Sequence, residues 1–183
     1  MSSSLTSHEL APLLAPLTSL PGVGPRHATL LEKISGGRRV LDLLFTLPER
    51  IVDRRPLRSI SQAEKIAPGE ILTARVRVLS IRRAARPGQP SIIRTEDDTG
   101  TLDLVFFQTR NMPAPVKGAE LIVSGKTGWF QGAMTMPQPD HVMVWSKRGN
   151  FPFLEPVWPL TAGLFPYTVR KAMKAALALL PDF

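Results

Sequence analysis

The sequence contains no cysteine, so disulfides and thiolate zinc sites are excluded, and that absence is compatible with a reducing cytoplasm. It has no apolar run approaching the ~20 residues of a membrane span. Its N-terminus, MSSSLTSHEL, lacks the basic and apolar regions of a secretion signal, so a soluble cytoplasmic protein without a membrane partner is expected. His8, His27 and His141 are scattered, with no pair at metal-ligand spacing, and there is no nucleophile elbow. The tripeptide GKT at 125–127 resembles the end of a phosphate-binding loop, but the glycine required five residues earlier is Glu120, and Gly128-Trp129-Phe130 does not start a helix. Gly22-Val23-Gly24 lacks the third glycine of a dinucleotide fingerprint and follows no strand. With no catalytic residues, no metal and no cofactor expected, the chain reads as a binding module.

Acidic residues are also in short supply: 15 against 23 Lys and Arg, for a net charge of +8 and a pI near 10.6. That balance points toward an anionic partner, and the arrangement of the charges has to decide which. A hydrophobic content of 43% with 21% charged residues is globular, and 183 residues suit one domain plus an appendage. The 18 prolines favour short strands and structured loops over long helices.

Leu10, Leu13, Leu14 and Leu17 have helical spacing, but Pro12 and Pro16 interrupt them, so the first helix is short or kinked. LPGVGPRHATLLEKI, residues 20–34, has the pattern of a helix-hairpin-helix, with Ala28, Leu31 and Ile34 inward. Gly22 and Gly24 would let the backbone approach phosphate, and Pro25 and Arg26 would open a helix whose free N–H groups face it. A helix–helix corner needing glycine only for geometry would look the same. Residues 38–48 predict a third short helix with Val40, Leu43, Leu44 and Leu47 on one side, ended by Pro48. An extended connector follows, in which Arg50, Arg54, Arg55 and Arg58 alternate with Glu49 and Asp53, and local ion pairing is its plain account.

From Pro68 the period changes to two. Leu72, Ala74, Val76 and Val78 are expected inward and Ile71, Thr73, Arg75 and Arg77 outward. A basic loop with Arg82, Arg83 and Arg86 leads into IIRTEDDTGTLDLVFF, residues 92–107, two strands joined at Asp98-Thr99-Gly100, where the glycine is expected to take a positive φ. Leu102, Leu104 and Phe106 share one face of the second strand, and Asp103, Val105 and Phe107 the other. If Phe106 joins a core, Phe107 stands out beside basic residues as a platform for a base, unless a sheet covered on both faces buries both rings. After a linker to Gly118, ELIVSGKT and GAMTMPQPDHVMVW supply two more strands. Five strands with a non-strand connection between the third and fourth match the OB-fold, a Greek-key barrel that binds oligonucleotides across its second and third strands. FLEPVWPLTAGL is then a proline-rich strap, and a helix from about Pro166 to Leu180 carries Val169, Met173, Ala176, Leu177 and Leu180 on one side and Arg170, Lys171 and Lys174 opposite. The expected class is therefore mainly β with flanking helices (α+β). A helical segment over 1–60 precedes an OB barrel over 61–150, and a strap with a C-terminal helix spans 151–183.

The order of these parts is more specific than any one of them. The GVG hairpin, VLDLLFTLPER ending in Asp53-Arg54, DDTGTLDLVFF, SGK, Met136-Pro137 and PVWPLTAGL before a helix resemble, over roughly residues 17–180, the N-terminal part of the RecG family of branched-DNA helicases. The resemblance implies a wedge: an OB barrel held against replication forks or four-way Holliday junctions in repair and recombination, splitting the arms while a separate C-terminal motor pulls the duplex. It implies branched DNA, the missing motor domains and single-strand DNA-binding protein as partners, with ATP and Mg²⁺ needed only by the full-length helicase. Phe106 and Phe107 match the family's aromatic pair, with Phe107 the ring that stacks. Arg75, Arg77, Arg82, Arg83, Arg86, Arg94 and Arg110 would hold phosphates. Ile51 and Trp158 depart from residues common in the family, and Gln108–Asn111 lack the second stacking aromatic of some members. The chain ends at Phe183, before any motor, as expected of a wedge fragment or a truncated product that cannot hydrolyse ATP. A free-standing single-strand DNA-binding protein and a protein-interaction module are the competing readings.

Overall fold

The computed structural model describes residues 7–63, 65, 70–86, 88–108 and 112–181. They form two compact units: the described residues up to Val52 join those from Pro156 onward, and Asp53–Glu155 forms the other. This differs from a three-segment reading with boundaries at 60 and 150. The first and last segments share one core, because each offers an apolar helix face that it cannot cover alone.

The second unit is built on a seven-stranded sheet. Its strands are β2 (Ile71–Arg82), β3 (Ser91–Asp97), β4 (Gly100–Phe106), β5 (Glu120–Lys126), β6 (Gly128–Phe130), β7 (Ala133–Pro137) and β8 (His141–Val144), in the order β6-β7-β4-β3-β2-β5-β8. All neighbours are antiparallel except β4 and β7, which run parallel. β2, β3 and β4 form a meander, β5 returns to the far side of β2, and β7 comes back to β4. The sheet curls until β5 meets β7: a Cβ on Gly125 would lie 3.1 Å from the Met136 side chain, a tight approach that glycine eases. This is the OB barrel. Its core holds Leu72, Ala74, Val76, Val78, Ile93, Leu102, Leu104, Phe106, Leu121, Val123, Met134 and Met136.

Several expectations change in detail. The last expected strand is two, β7 and β8, broken where Gln138 takes φ 46°, and β6 is an additional strand that hairpins onto β7. Thr73 lies on the face opposite Leu72 and Ala74, as alternation requires, but it is buried there, its hydroxyl bonding that of Ser124 at 2.9 Å on the paired strand. A register shift between Val78 and Ser80 resets the alternation of β2, so Ile81 packs against the core while Arg82 is exposed. Gly100 has no positive φ. The turn is held by Asp97, whose Oδ1 accepts from the Thr99 amide (2.7 Å), the Thr99 hydroxyl (2.6 Å) and the Gly100 amide (3.1 Å). Glycine serves closeness here instead: a Cβ at Gly100 would sit 3.2 Å from Ile60 Cγ2 of the short helix α4 (Ile60–Ala63), a tight contact that Ile60 would have to yield to.

Arg54, read from sequence as a cation among local carboxylates, is 4% exposed. It donates to Glu155 Oε2 at 2.8 and 3.0 Å, to Asp140 Oδ2 at 3.1 Å and to the Ser124 hydroxyl at 2.9 Å, and His141 Nε2 lies 2.9 Å from the same Glu155 oxygen. The guanidinium thus ties the two chain ends of the barrel unit to β5. Local pairing does hold for Arg55 and Asp53, 2.7 Å apart, where the Arg55 hydrogen bond lowers the Asp53 pKa to about 2.

The first unit contains α1 (Ser7–Leu14), α2 (Pro25–Ser35), α3 (Val40–Leu44) and α5 (Pro166–Leu177), with a 3-10 turn over Leu17–Ser19. Leu13, Leu17, Leu20, Val23, Leu31, Val40, Leu43, Leu164, Val169, Ala172, Met173 and Ala176 form its core. α3 stops at Leu44, so Leu47 falls beyond the helix and is 80% exposed. α5 stops at Leu177, and its buried stripe is 169/172/173/176; Leu177 and Leu180 are exposed, contrary to expectation. The strap is anchored by the Trp158 indole N–H, which donates to the Thr46 carbonyl at 3.1 Å. β1 (Arg50–Asp53) and β9 (Leu154–Val157) pair with each other as a two-stranded ribbon where the chain passes from one unit to the other.

Candidate nucleic-acid interface

Strand pairing decides which side chains share the outer face of the barrel. Ile92 pairs with Val105 and Arg94 with Asp103; Asp103 and Val105 pair with Thr135 and Pro137; Thr135 and Ala133 pair with Gly128 and Phe130. Residues in register lie on one face, so these four strands present a single row of side chains away from the core. They line a groove of about 660 Å³ that also takes in Arg82, Pro90, Phe107 and Trp129.

Phe106 and Phe107 divide as alternation requires. Phe106 is 2% exposed in the core, and Phe107 is 63% exposed at the groove. Burial corrects the assignment of Phe106 to the interface, since a ring sealed in the barrel cannot stack on a base. The Phe107 amide lies 3.3 Å from Gln138 Oε1, and the Gln138 backbone amide donates to the Val105 carbonyl at 2.7 Å, so the residue just after β7 secures the end of β4 beside the ring.

Sequence reasoning missed two aromatics. Trp129 and Phe130 are 60% and 65% exposed and line the same groove. They stand at the end of the β6–β7 hairpin, whose two-residue loop, Gln131-Gly132, has φ values of 51° and 77°. Two consecutive positive φ values mark the tight turn whose twist matches its strands, and the Q-G dipeptide after two aromatics was the available signal.

The predicted phosphate-binding arginines separate into two sets. Arg94 makes a bidentate pair with Asp103, 2.8 Å at each contact, on the groove floor, and that hydrogen bond raises its pKa. Arg75 is paired with Glu120 at 2.7 Å and also lies 4.6 Å from the Trp145 ring; Arg77 is paired with Glu96 at 2.8 Å. Both border a different depression shared with Asp97 and Asp98, where the field is mixed. Arg82, Arg83 and Arg86 are exposed and, among the described residues, no carboxylate pairs with them. Of the predicted set, theirs are the charges unmatched among the described residues. Arg110 lies outside the described residues.

In the helical unit, Gly22 has φ 79° and, with Gly24 and Arg26, is exposed; only a 3-10 turn, not a full helix, precedes the hairpin. Gly24 is the N-cap of α2 in an extended conformation with open space where a Cβ would be, so it is not required by geometry. Lys171 of α5 reaches over Gly22, its Nζ 2.8 Å from the position a Cβ would take. Lys126 ends β5 and Gly128 begins β6, so the GKT tripeptide leads into a strand, and these residues do not fit a nucleotide phosphate site. Among the described residues no group of three or more His, Asp or Glu could hold a metal, and no helix is long and apolar enough to cross a membrane.

Residues 17–180 match the model of the RecG wedge domain. The chain belongs to that family. The ATP-dependent DNA helicase RecG of Escherichia coli K12 is 31% identical over 172 residues, and that of Haemophilus influenzae 32% over 174. Each alignment covers 90% of this chain and 24% of the relative, so the RecG wedge seen here spans about a quarter of the length of those helicases. A solved structure of RecG bound to a three-way DNA junction superposes with a TM-score of 0.64 over 95% of this chain and 23% of that one, at 21% identity, which supports the fold.

Proposed function

We propose that this wedge binds branched DNA, forks and four-way junctions, as the strand-separating part of a RecG-type helicase acting in repair and recombination, with ATP and Mg²⁺ used only by motor domains outside this chain. The observation that carries the reading is Phe107, an aromatic ring 63% exposed on the OB face in one groove with Arg82, which no carboxylate pairs among the described residues. A ring caps an end of a base stack, and a branch point is where duplex arms present such ends. Arg82, Arg83 and Arg86 hold phosphates without reading sequence, which makes binding depend on shape and on salt. The Gly22 hairpin with Arg26 and Lys171 is a second backbone contact. Single-strand DNA-binding protein is a proposed partner of the full-length helicase. Gel shifts of a four-way junction, a fork, a duplex and a single strand at fixed salt test the proposal. Tighter binding of junction and fork than of duplex is expected. Equal affinity for all four refutes it, and a preference for the single strand alone would favour a free-standing single-strand binder.

A further inference from the structure

Phe107 stands where the strand ladder has run out. The last pairs of its strand are Phe106 with Ser91 on one side and Val105 with Pro137 on the other, and Phe107 lies past both. Its backbone is held from residues 138–140, which join β7 to β8: the Phe107 amide donates to Gln138 Oε1 at 3.3 Å, a long bond of its kind. This short segment has a conformation it would not adopt alone. Gln138 takes φ 46° although it is not glycine, and it precedes Pro139, where extended backbone is favoured. Packing does little to keep it there, since Gln138 and Asp140 are exposed and, with Pro139, border a depression of about 430 Å³. Polar contacts on both sides do so instead. On one side the Gln138 backbone amide donates to the Val105 carbonyl of β4 at 2.7 Å. On the other, Asp140 Oδ2 accepts from Arg54 Nη1 at 3.1 Å, and the same nitrogen donates to the Ser124 hydroxyl of β5 at 2.9 Å. The backbone also lies close to β5, since a Cβ on Gly125 would sit 3.3 Å from the Asp140 nitrogen.

We propose that residues 138–140 form a bracket that aims the Phe107 ring: Gln138 is the positioning residue that holds its backbone, and Arg54, acting through Asp140, anchors the bracket to the barrel. This role depends on the stacking proposed above for Phe107 and assigns residues that act through the ring. Arg54 is 4% exposed, so it does not itself reach a phosphate. Its guanidinium instead joins Asp140 and Ser124, two groups that the chain order leaves far apart, and so fixes the turn that follows β7 against β5. A ring carried on a preset backbone loses less freedom when a base meets it than one at a loose strand end, and that difference appears as affinity.

The test measures four-way-junction binding by anisotropy at fixed salt, and urea denaturation in parallel, using the whole chain. Gln138→Gly relieves the backbone conformation and removes the acceptor, so it should keep a wild-type urea midpoint while weakening the junction about two- to ten-fold. Asp140→Ala separates positioning from plain electrostatics by sign. Deleting a negative charge favours a polyanion, yet losing the anchor should weaken binding about two- to ten-fold. Asp140→Asn, which keeps an oxygen for Arg54, should bind at least as tightly as wild type. In a Phe107→Ala background neither Gln138→Gly nor Asp140→Ala should weaken binding further. Wild-type or tighter binding by Gln138→Gly overturns the proposal, as does tighter binding by Asp140→Ala or an equal loss with and without the Phe107 ring. Should Asp140→Ala unfold, Gln138→Gly and its pairing with Phe107→Ala decide alone. A Phe107→Ala protein that binds like wild type removes the stacking role and the bracket with it. A wild type that binds duplex as tightly as junction refutes the branched-DNA reading only, because the same cycle is then read on duplex.

Discussion

Replacing Phe107 by alanine should separate binding from stability, because its neighbour Phe106 serves as an internal control. Phe107 keeps most of its surface in water, so its removal should cost below ~1 kcal/mol of folding free energy, a fraction of the ~1.5–3 kcal/mol of a fully buried side chain. Stacking on a base is worth ~1–3 kcal/mol, so the same change should weaken junction binding by roughly 5- to 150-fold. Phe106, at 2% exposure among Leu102, Leu104 and Met136, should instead lose about 3–5 kcal/mol of stability on truncation through burial lost and cavity left. Urea denaturation followed by circular dichroism, with junction binding by fluorescence anisotropy at a temperature where both variants are folded, reads the two quantities. A Phe107→Ala protein that binds the junction within two-fold of wild type refutes the stacking role. One that unfolds as readily as Phe106→Ala refutes the placement of the ring.

Three further outcomes follow from the charges. Replacing Arg82, Arg83 and Arg86 together by alanine should flatten the dependence of log affinity on log salt by up to about 0.9 for each phosphate contact removed, whereas Arg75→Ala/Arg77→Ala, whose charges are already matched by Glu120 and Glu96, should change it less in a salt titration. Arg54→Met should lower stability by about 3–5 kcal/mol in urea denaturation, since it leaves Glu155 with a buried charge lacking its main partner. Burial opposes the ionisation of Asp97, but bonds from the Thr99 hydroxyl and the Ile60, Thr99 and Gly100 amides outweigh it and hold the carboxyl below its ordinary pKa. Its folded pKa is thus below the unfolded ~3.9, so its contribution is complete above that value and is lost as pH falls through the folded pKa. Asp97→Asn should flatten the stability–pH curve below about pH 4, as read from thermal midpoints.

Much of the barrel was readable because its signals are local. Period-two alternation put Val76, Val78, Leu102, Leu104 and Phe106 inward, and a strand imposes that geometry before any partner is found. What failed locally did so where a neighbour intervened. Gly100 looks locally like a turn glycine, but Asp97 closes the turn with its side chain, and it is Ile60 that a Cβ there would crowd. Thr73 faces out as alternation requires, but nothing in its own strand reveals that it is buried there beside Ser124, to which Arg54 donates. Leu47, Leu177 and Leu180 kept helical spacing past points where the helices had ended, since periodicity continues in a sequence whether or not the hydrogen bonds do.

The candidate site divides along the same line. That Phe106 and Phe107 face opposite ways was determined by the sequence alone, because adjacent residues of a strand cannot share a face. The order of motifs along the chain likewise pointed to the wedge family without a coordinate. Only the tertiary structure decided that Trp129 and Phe130 share a groove with Phe107, because the parallel pairing of β4 with β7 joins segments about thirty residues apart. It also decided which arginines remain available. Arg77 meets Glu96, and Arg94 meets Asp103, through cross-strand register, whereas Arg82 meets the uncharged Ile92, and Arg83 and Arg86 lie in the loop beyond β2, where no carboxylate pairs with them among the described residues. Local geometry assigned a direction to each side chain, and long-range pairing chose its company.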